Sequence, residues 1–379
     1  MYAVIIGLND FPNGDAGAVR QFAFARIYQE LGYDVVVICQ NRESSEGDYQ
    51  KIHFYSIYRE RNSAFEQASF YFGLKKKVLD ILGGVIREKG EMPALLQIGE
   101  IPYNSINSLI RLSRKKNIEI IYNCGEWYSP CEFSKGRFDK SYITNNLINR
   151  IIIRKPMKVI AISQYLYDYF KGKGLETIRI PVIMDKSDHN NEGHGNKINI
   201  VYAGNISGKD EIKQFIWAVA ALKDEDRACL SVNIYGITED KLGEVCGILT
   251  LPECVKVHGR VPRCEVEKAL DDADFSFLLR PANERYAKAG FPTKVVEAMT
   301  HRTAMLCNIS SDLGRYLSDK INSVIIKDNS EKEVMTALSE IIKMDRKTIE
   351  EIKKNAQKTA KEEFYYENYV EPLGTFIRK

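Results

Sequence analysis

"INIVYAGNISGKDEIKQF", residues 198–215, decides how this chain is built. An apolar, β-branched run comes first. A loop follows in which Gly204 and Gly208 bracket Asn205 and Lys209 comes next, and a helix-like run closes the stretch. Strand, glycine-bearing loop and helix in that order open a parallel α/β unit. Five further strand-like runs continue it: "LSVNIYG", "VKVHGR", "ADFSFLL", "TAMLCN" and "NSVIIKD". Upstream, "YAVIIGL", "DVVVICQ", "KIHFYSI", "ALLQIGE", "IEIIYNC" and "KVIAIS" alternate with helical patterns in the same way. The clearest of these helices is "AVRQFAFARIYQELGY", which Gly32 stops. The expected fold class is α/β, two parallel-sheet domains in tandem. The expected limits are a first domain over 1–185, a polar linker "KSDHNNEGHGNK" over 186–197, a second domain over 198–355 and a final helical segment over 356–379.

Composition bounds the function. A chain of 379 residues exceeds one ordinary core. Hydrophobic residues at 44% and charged residues at 28% describe a soluble globular protein. A net charge of +3 gives no argument for nucleic acid. No apolar run reaches the length of a spanning helix. The N-terminal "MYAVIIGLNDFPNGD" reads as a first strand, not a basic leader. The eight cysteines form no CxxC pair, and Cys39, Cys124 and Cys307 lie in apolar runs, as reduced core thiols of a cytosolic protein do. His189 and His194 sit in the polar linker with no further ligand spaced to join them, so no metal is expected.

In parallel α/β domains ligands bind outside the strand C-terminal ends, so the expected site lies between the two domains. After the first strand, Gly14 and Gly17 flank Asp15 in a loop that runs into a helix. Backbone amides there suit an anion or a sugar; the alternative is a plain turn. Gly204, Asn205 and Lys209 suit a diphosphate through close backbone, helix N-terminus and one long cation, although no Walker pattern is present; the alternative is a solvated lysine. Arg280 ends the run "ADFSFLLR" as a partner for phosphate oxygens, or as half of a surface ion pair. In "AGFPTKVVEAM", Lys294 adds charge near a helix start. Glu297, one turn on, suits the vicinal hydroxyls of a ribose; the alternative is an ion pair between the two. "YNCGEWYSP" offers Glu126 to act on an acceptor hydroxyl and Trp127 to stack on a sugar ring, or else a solvated carboxylate and a core indole.

These motifs, in this order along most of the chain, resemble glycosyltransferase family 4, the retaining GT-B enzymes. The "FPTK…E" variant resembles the bacterial branch that builds surface polysaccharides. "YAGNISGKD" is similar to that family's diphosphate loop, "VIAISQYL" and "IRIPVIMD" to the segments closing its first domain, and "EWYSP" to its acceptor-side motif. "VKVHGRVP" is similar to the strand and loop beside the donor base, which brings Arg260 to the donor site. The resemblance implies two facing Rossmann-like domains, with "EEFYYENYVEPLGTFIRK" crossing back to the first. It puts Lys209 on the diphosphate lysine and Glu297 on the second glutamate of E-x7-E. Ala289 stands where the first glutamate is usual, and Asn205 where an arginine is usual, so Arg280 or Lys294 would supply the missing cation.

The activity implied is retaining transfer of a hexose from a nucleotide-diphosphate-sugar donor to a hydroxyl acceptor, a glycan or lipid-linked glycan, with Glu126, Lys209 and Arg280 as catalytic residues and no metal or other cofactor. The alternative is a two-lobed sugar-binding module without catalysis. A nicotinamide dehydrogenase is disfavoured because GxGxxG is absent. Residues 70–91, "FYFGLKKKVLDILGGVIREKGE", place Lys75, Lys76 and Lys77 beside an apolar stripe of Leu74, Val78, Leu82 and Val85. That pattern fits an anionic membrane surface, or a helix packed on the first sheet. The expected location is cytoplasmic, at or near the inner face of the membrane.

Overall fold

The computed structural model describes residues 1–12, 14–99, 101–186, 195–204 and 209–378. The chain divides into two units, Met1–Asp185 with Tyr365–Lys379, and Lys186–Phe364. The segment expected over 356–379 is thus shared. The helix Arg346–Glu363 lies in the second unit, and the first unit regains the chain at Tyr365. Most of the expected linker, residues 187–194 with His189 and His194, lies outside the described residues.

The first unit carries β1 (Tyr2–Ile6), β2 (Asp34–Cys39), β3 (Glu46–Tyr49), β4 (Ile52–Ser56), β5 (Leu95–Ile98), β6 (Glu119–Cys124), β7 (Lys158–Ala161) and β8 (Thr177–Arg179). Their order is β3-β4-β2-β1-β5-β6-β7-β8. All neighbours pair in parallel except β3, a polar edge strand antiparallel to β4. Strands buried on both faces need near-continuous apolar runs, and β1, β2 and β5 are such runs. Asp15 caps the helix Ala16–Glu30 by accepting from Ala18 N–H at 2.7 Å. The core of this unit includes Phe11, Phe22, Phe24 and Tyr28, and Tyr366 and Leu373 of the returning segment join it.

The second unit carries β9 (Ile198–Ala203), β10 (Leu230–Tyr235), β11 (Val255–Gly259), β12 (Phe275–Leu278), β13 (Ala304–Asn308) and β14 (Ser323–Ile326). All six expected runs are strands. They are parallel throughout, in the order β11-β10-β9-β12-β13-β14. This is the doubly wound order, and the strand sequence reverses between β9 and β12. A ligand crevice opens at such a reversal, outside the strand C-terminal ends. At the opposite ends Asp274, 2% exposed, ties the unit together. Its carboxylate accepts from Asn199 N–H and from Arg346, both at 2.8 Å, with Lys353 at 3.6 Å.

Candidate functional site

At the reversal in the second unit, β9 ends in Tyr202 and Ala203 and leads into Gly204, and β12 leads into Leu279 and Arg280. The Gly204 N–H donates to Tyr235 O at 3.1 Å. Gly236, at φ +97°, lies so close that a Cβ there would stand 2.8 Å from the Gly204 carbonyl carbon. A side chain at Gly204 would in turn fall on the end of Lys294. Both glycines are therefore required by close approach of backbone to backbone and to the lysine.

Below Gly204 the structure gathers a cluster around Asp210, whose side chain is 4% exposed. Arg280 Nε donates to Asp210 Oδ1 at 2.8 Å. Lys294 and the Tyr202 hydroxyl, the latter at 3.0 Å, both donate to Oδ2. The Lys294 ammonium also donates to the Tyr202 hydroxyl at 3.1 Å and sits 4.2 Å from the centre of that ring. Burial alone would raise the Asp210 carboxyl, but Lys294 and Arg280 hold it at about 2. Burial lowers Lys294, against the pull of Asp210. The Arg280 backbone is clamped in turn. Its N–H donates to Asn308 Oδ1 at 2.9 Å and its carbonyl accepts from Asn308 Nδ2 at 2.6 Å. Asn308 Nδ2 also reaches Asn329, which binds Glu211. The Arg280 side chain is 13% exposed, and its two terminal amino groups have no hydrogen-bond partner among the described residues. That fork is positioned for a planar or tetrahedral oxyanion.

The helix Thr293–Thr300 begins after the buried turn Phe291–Pro292 and presents Lys294 in its first turn and Glu297 one turn further. The two do not pair with each other among the described ion pairs. Lys294 turns to Asp210, while Glu297, 29% exposed, accepts from Arg263 at 3.3 Å. Arg263 is shared with Glu267 at 2.9 Å. Burial raises the Glu297 carboxyl, and Arg263 and then Lys294 oppose it. Lys209 is half-buried, and its carbonyl accepts from the Tyr286 hydroxyl at 3.0 Å, which fixes the far end of the loop. Ala289 is fully buried. Arg260 is exposed, next to Gly259 at the end of edge strand β11. Asn205 and Gly208 lie outside the described residues.

Residues 184–359 match the family model described as glycosyl transferases group 1. The matched residues fall almost wholly in the second unit, which is similar to that family. Over the whole chain the fold is shared with GT-B glycosyltransferases. Sucrose-phosphate synthase of Thermosynechococcus elongatus is 12% identical with a TM-score of 0.76, over 100% of this chain and 98% of that one. Anabaena HepE in complex with UDP and glucose is 14% identical with a TM-score of 0.68, over 100% and 99%. WaaG, a glycosyltransferase involved in lipopolysaccharide biosynthesis, is 14% identical with a TM-score of 0.69, over 99% of both chains. No curated protein matches the sequence.

Within the second unit the structure brings together Gly204, Arg280 and Lys294, with Glu297 one helical turn away. Sequence reasoning missed Asp210, Tyr202, Arg263 and Asn308. The one signal was Asp210 itself, directly after Lys209, which reads as an exposed charge until the fold buries it.

Gly14, Gly17 and Glu126 belong to the first unit. A Cβ on Gly14 would meet the Asp10 side chain at 2.6 Å, and one on Gly17 would meet Asn9 Cγ at 2.8 Å, so both are glycine for local room. Asp15 already holds Ala18 N–H and, at 2.8 Å, Asp10 N–H, so a carboxylate of the chain itself occupies that helix end. This favours a neutral hydroxyl ligand over an anion. Nearby, Gln21 is 3% exposed and its Nε2 lacks a hydrogen-bond partner among the described residues. Glu126 is half-buried just after β6; its main-chain carbonyl accepts from Asn149 Nδ2 at 3.3 Å. The stacking role expected for Trp127 is corrected. The indole is 3% exposed, donates to Asn146 Oδ1 at 3.0 Å and packs edge-on to Tyr169 at 4.4 Å. It is a core side chain, because its faces are covered by the protein.

Proposed function

We propose that this chain is a retaining hexosyltransferase that moves a sugar from a nucleoside-diphosphate donor to the hydroxyl of a glycan or lipid-linked glycan. The observation that carries this reading is the Arg280 fork at the β9/β12 reversal, with Lys294 beside it and the Glu297 carboxylate one turn along the same helix. Two cations suit a diphosphate, and a carboxylate one turn away suits a ribose diol. The match to glycosyl transferases group 1 supports it. HepE solved with UDP-glucose supports a nucleotide-sugar donor, and WaaG supports a surface-glycan acceptor.

The barrier in such a transfer is charge building on the departing diphosphate. Arg280, Lys294 and Lys209 lower it by holding fixed positive charge where the leaving oxygens gather; one such contact is worth ~3–4 kcal/mol. These cations take the part a divalent ion plays in other transferases. In the retaining course the acceptor hydroxyl attacks the face the diphosphate leaves, its proton passing either to the leaving phosphate or to Glu126, so no protein nucleophile is needed. Glu126 orients or deprotonates the acceptor in this reading, and Gly14, Gly17 and Arg260 contact the donor. Incubation with UDP-, GDP- and ADP-sugars tests the proposal. Release of free nucleoside diphosphate in the presence of a glycan acceptor is expected with one base. Binding of a sugar with no release under any pairing would leave a sugar-binding module in its place.

A further inference from the structure

Asp210 has no reach toward a substrate. It lies beneath the cations, with Oδ1 taken by Arg280 and Oδ2 by Lys294 and Tyr202. The groups that face the Lys294 ammonium are Asp210, Tyr202, Arg280 and Glu297. Of these only the two carboxylates carry the opposite charge, and only Asp210 of the two touches it; the Tyr202 ring and hydroxyl add a weaker contact that favours the cation. Gly204 packs directly against the end of the Lys294 side chain. Two of its three N–H groups are committed, to Asp210 and Tyr202. Arg280 is held through Nε alone, which leaves its two terminal amino groups without a hydrogen-bond partner among the described residues.

We propose that Asp210 is the positioning residue of the donor site, which keeps Lys294 charged and turns the Arg280 fork outward before the nucleotide arrives. The inference rests on the donor reading above. A buried amine next to a guanidinium sheds its proton unless a carboxylate compensates. Without Asp210 the site offers a neutral Lys294, and binding a diphosphate must draw a proton from solvent. With Asp210 the proton is already there.

The test is calorimetry of UDP, GDP and ADP binding between about pH 7 and 9, in buffers of different ionisation enthalpy. The wild type is expected to bind one of them with nearly constant affinity and negligible proton uptake. Asp210→Asn keeps the shape and removes the charge. Its affinity is expected to fall by up to about tenfold per pH unit on the alkaline side, with uptake approaching one proton. Adding Lys294→Arg to that variant should flatten the profile again, because a guanidinium does not deprotonate in this range. A flat profile without proton uptake in Asp210→Asn overturns the inference and leaves the donor reading standing. A wild type that binds none of the three overturns both. Should Asp210→Asn fail to fold, the wild type answers directly. The ¹³Cε resonance of Lys294, assigned through Lys294→Arg, is expected to report an ammonium throughout, and a neutral amine within that pH window overturns the inference.

Discussion

Glu297 occupies a place that costs the folded chain stability. Burial raises its carboxyl above the ordinary 4.5, and Arg263 and Lys294 recover only part of that. The folded chain therefore binds this proton more tightly than the unfolded chain. The penalty is fully present above the raised value, shrinks as pH falls through it, and is gone below the ordinary value. Glu297→Gln removes it while Arg263 keeps Glu267. The variant is expected to melt higher than wild type near neutral pH, with the gap closing as the solution is acidified. Nucleotide affinity should move the other way, down about tenfold or more, for the loss of one charge-assisted bond worth roughly 1.5–3 kcal/mol. Stability up and affinity down together mark a residue kept for its ligand. Unchanged affinity by calorimetry would sink the ribose assignment. Lys209→Ala tests a different moment of the reaction. Diphosphate charge peaks as the bond breaks, so kcat is expected to drop about a hundredfold while donor affinity changes far less. A saturated rate equal to wild type would make Lys209 a surface lysine.

At the scale of elements the chain is legible where its strands are continuous and apolar. β1, β2 and β4 through β7 were plain from their runs, as were all six strands of the second unit, because burial on both faces permits little else. β3 was not. It is short and polar, and its hairpin turns at Gln50 and Lys51, both at positive φ without the usual Asn-Gly signature. The three-residue β8 was missed for its brevity. The cation cluster was half legible. Arg280, Lys294 and Glu297 stand in recognisable motifs, but the carboxylate that Arg280 and Lys294 share sits seventy and eighty-four residues away from them in sequence. Local pattern does not say which distant side chain closes a contact. The closing element carries a prediction of its own. Lys158 on β7, 9% exposed, pairs with Glu119 at 2.9 Å and donates to the carbonyls of Phe376 and Ile377 at 3.0 and 3.1 Å. It thus holds the C-terminal end of the helix Val370–Arg378 to the first sheet. Lys158→Met should cost about 2–3 kcal/mol. A lower melting midpoint and faster proteolytic release of the tail are expected, and an unchanged midpoint would deny that role.

For the whole molecule the open question is what surface it works on. Among the described residues no helix is long and apolar enough to cross a membrane. The helix Ala64–Lys89 settles part of the reading made from residues 70–91. Leu74, Val78, Leu82 and Val85 are each at most 2% exposed, so that stripe is core and is not offered to lipid. What the first unit does expose is different. Phe72 is 84% exposed and Tyr71 41%, beside exposed Lys75, Lys76 and Lys77. The Lys140 ammonium lies 5.2 Å from the Tyr71 ring centre, and Phe138, 86% exposed, and Ile143, 51% exposed, are near Lys140 in sequence. Aromatic tips set among lysines fit an anionic leaflet: the rings bury apolar area and each lysine adds about 1 kcal/mol near the surface. We predict that the protein co-sediments with liposomes containing anionic lipid at low salt and is released as salt rises. Lys75, Lys76 and Lys77 changed together to Glu should abolish sedimentation. Phe72→Ser with Phe138→Ser should weaken it without moving the melting temperature, because exposed rings contribute little to folding. Activity on a soluble acceptor should survive both sets. If the wild type stays in the supernatant even at low salt, this face meets only solvent, and the acceptor of the proposed transfer is delivered from solution.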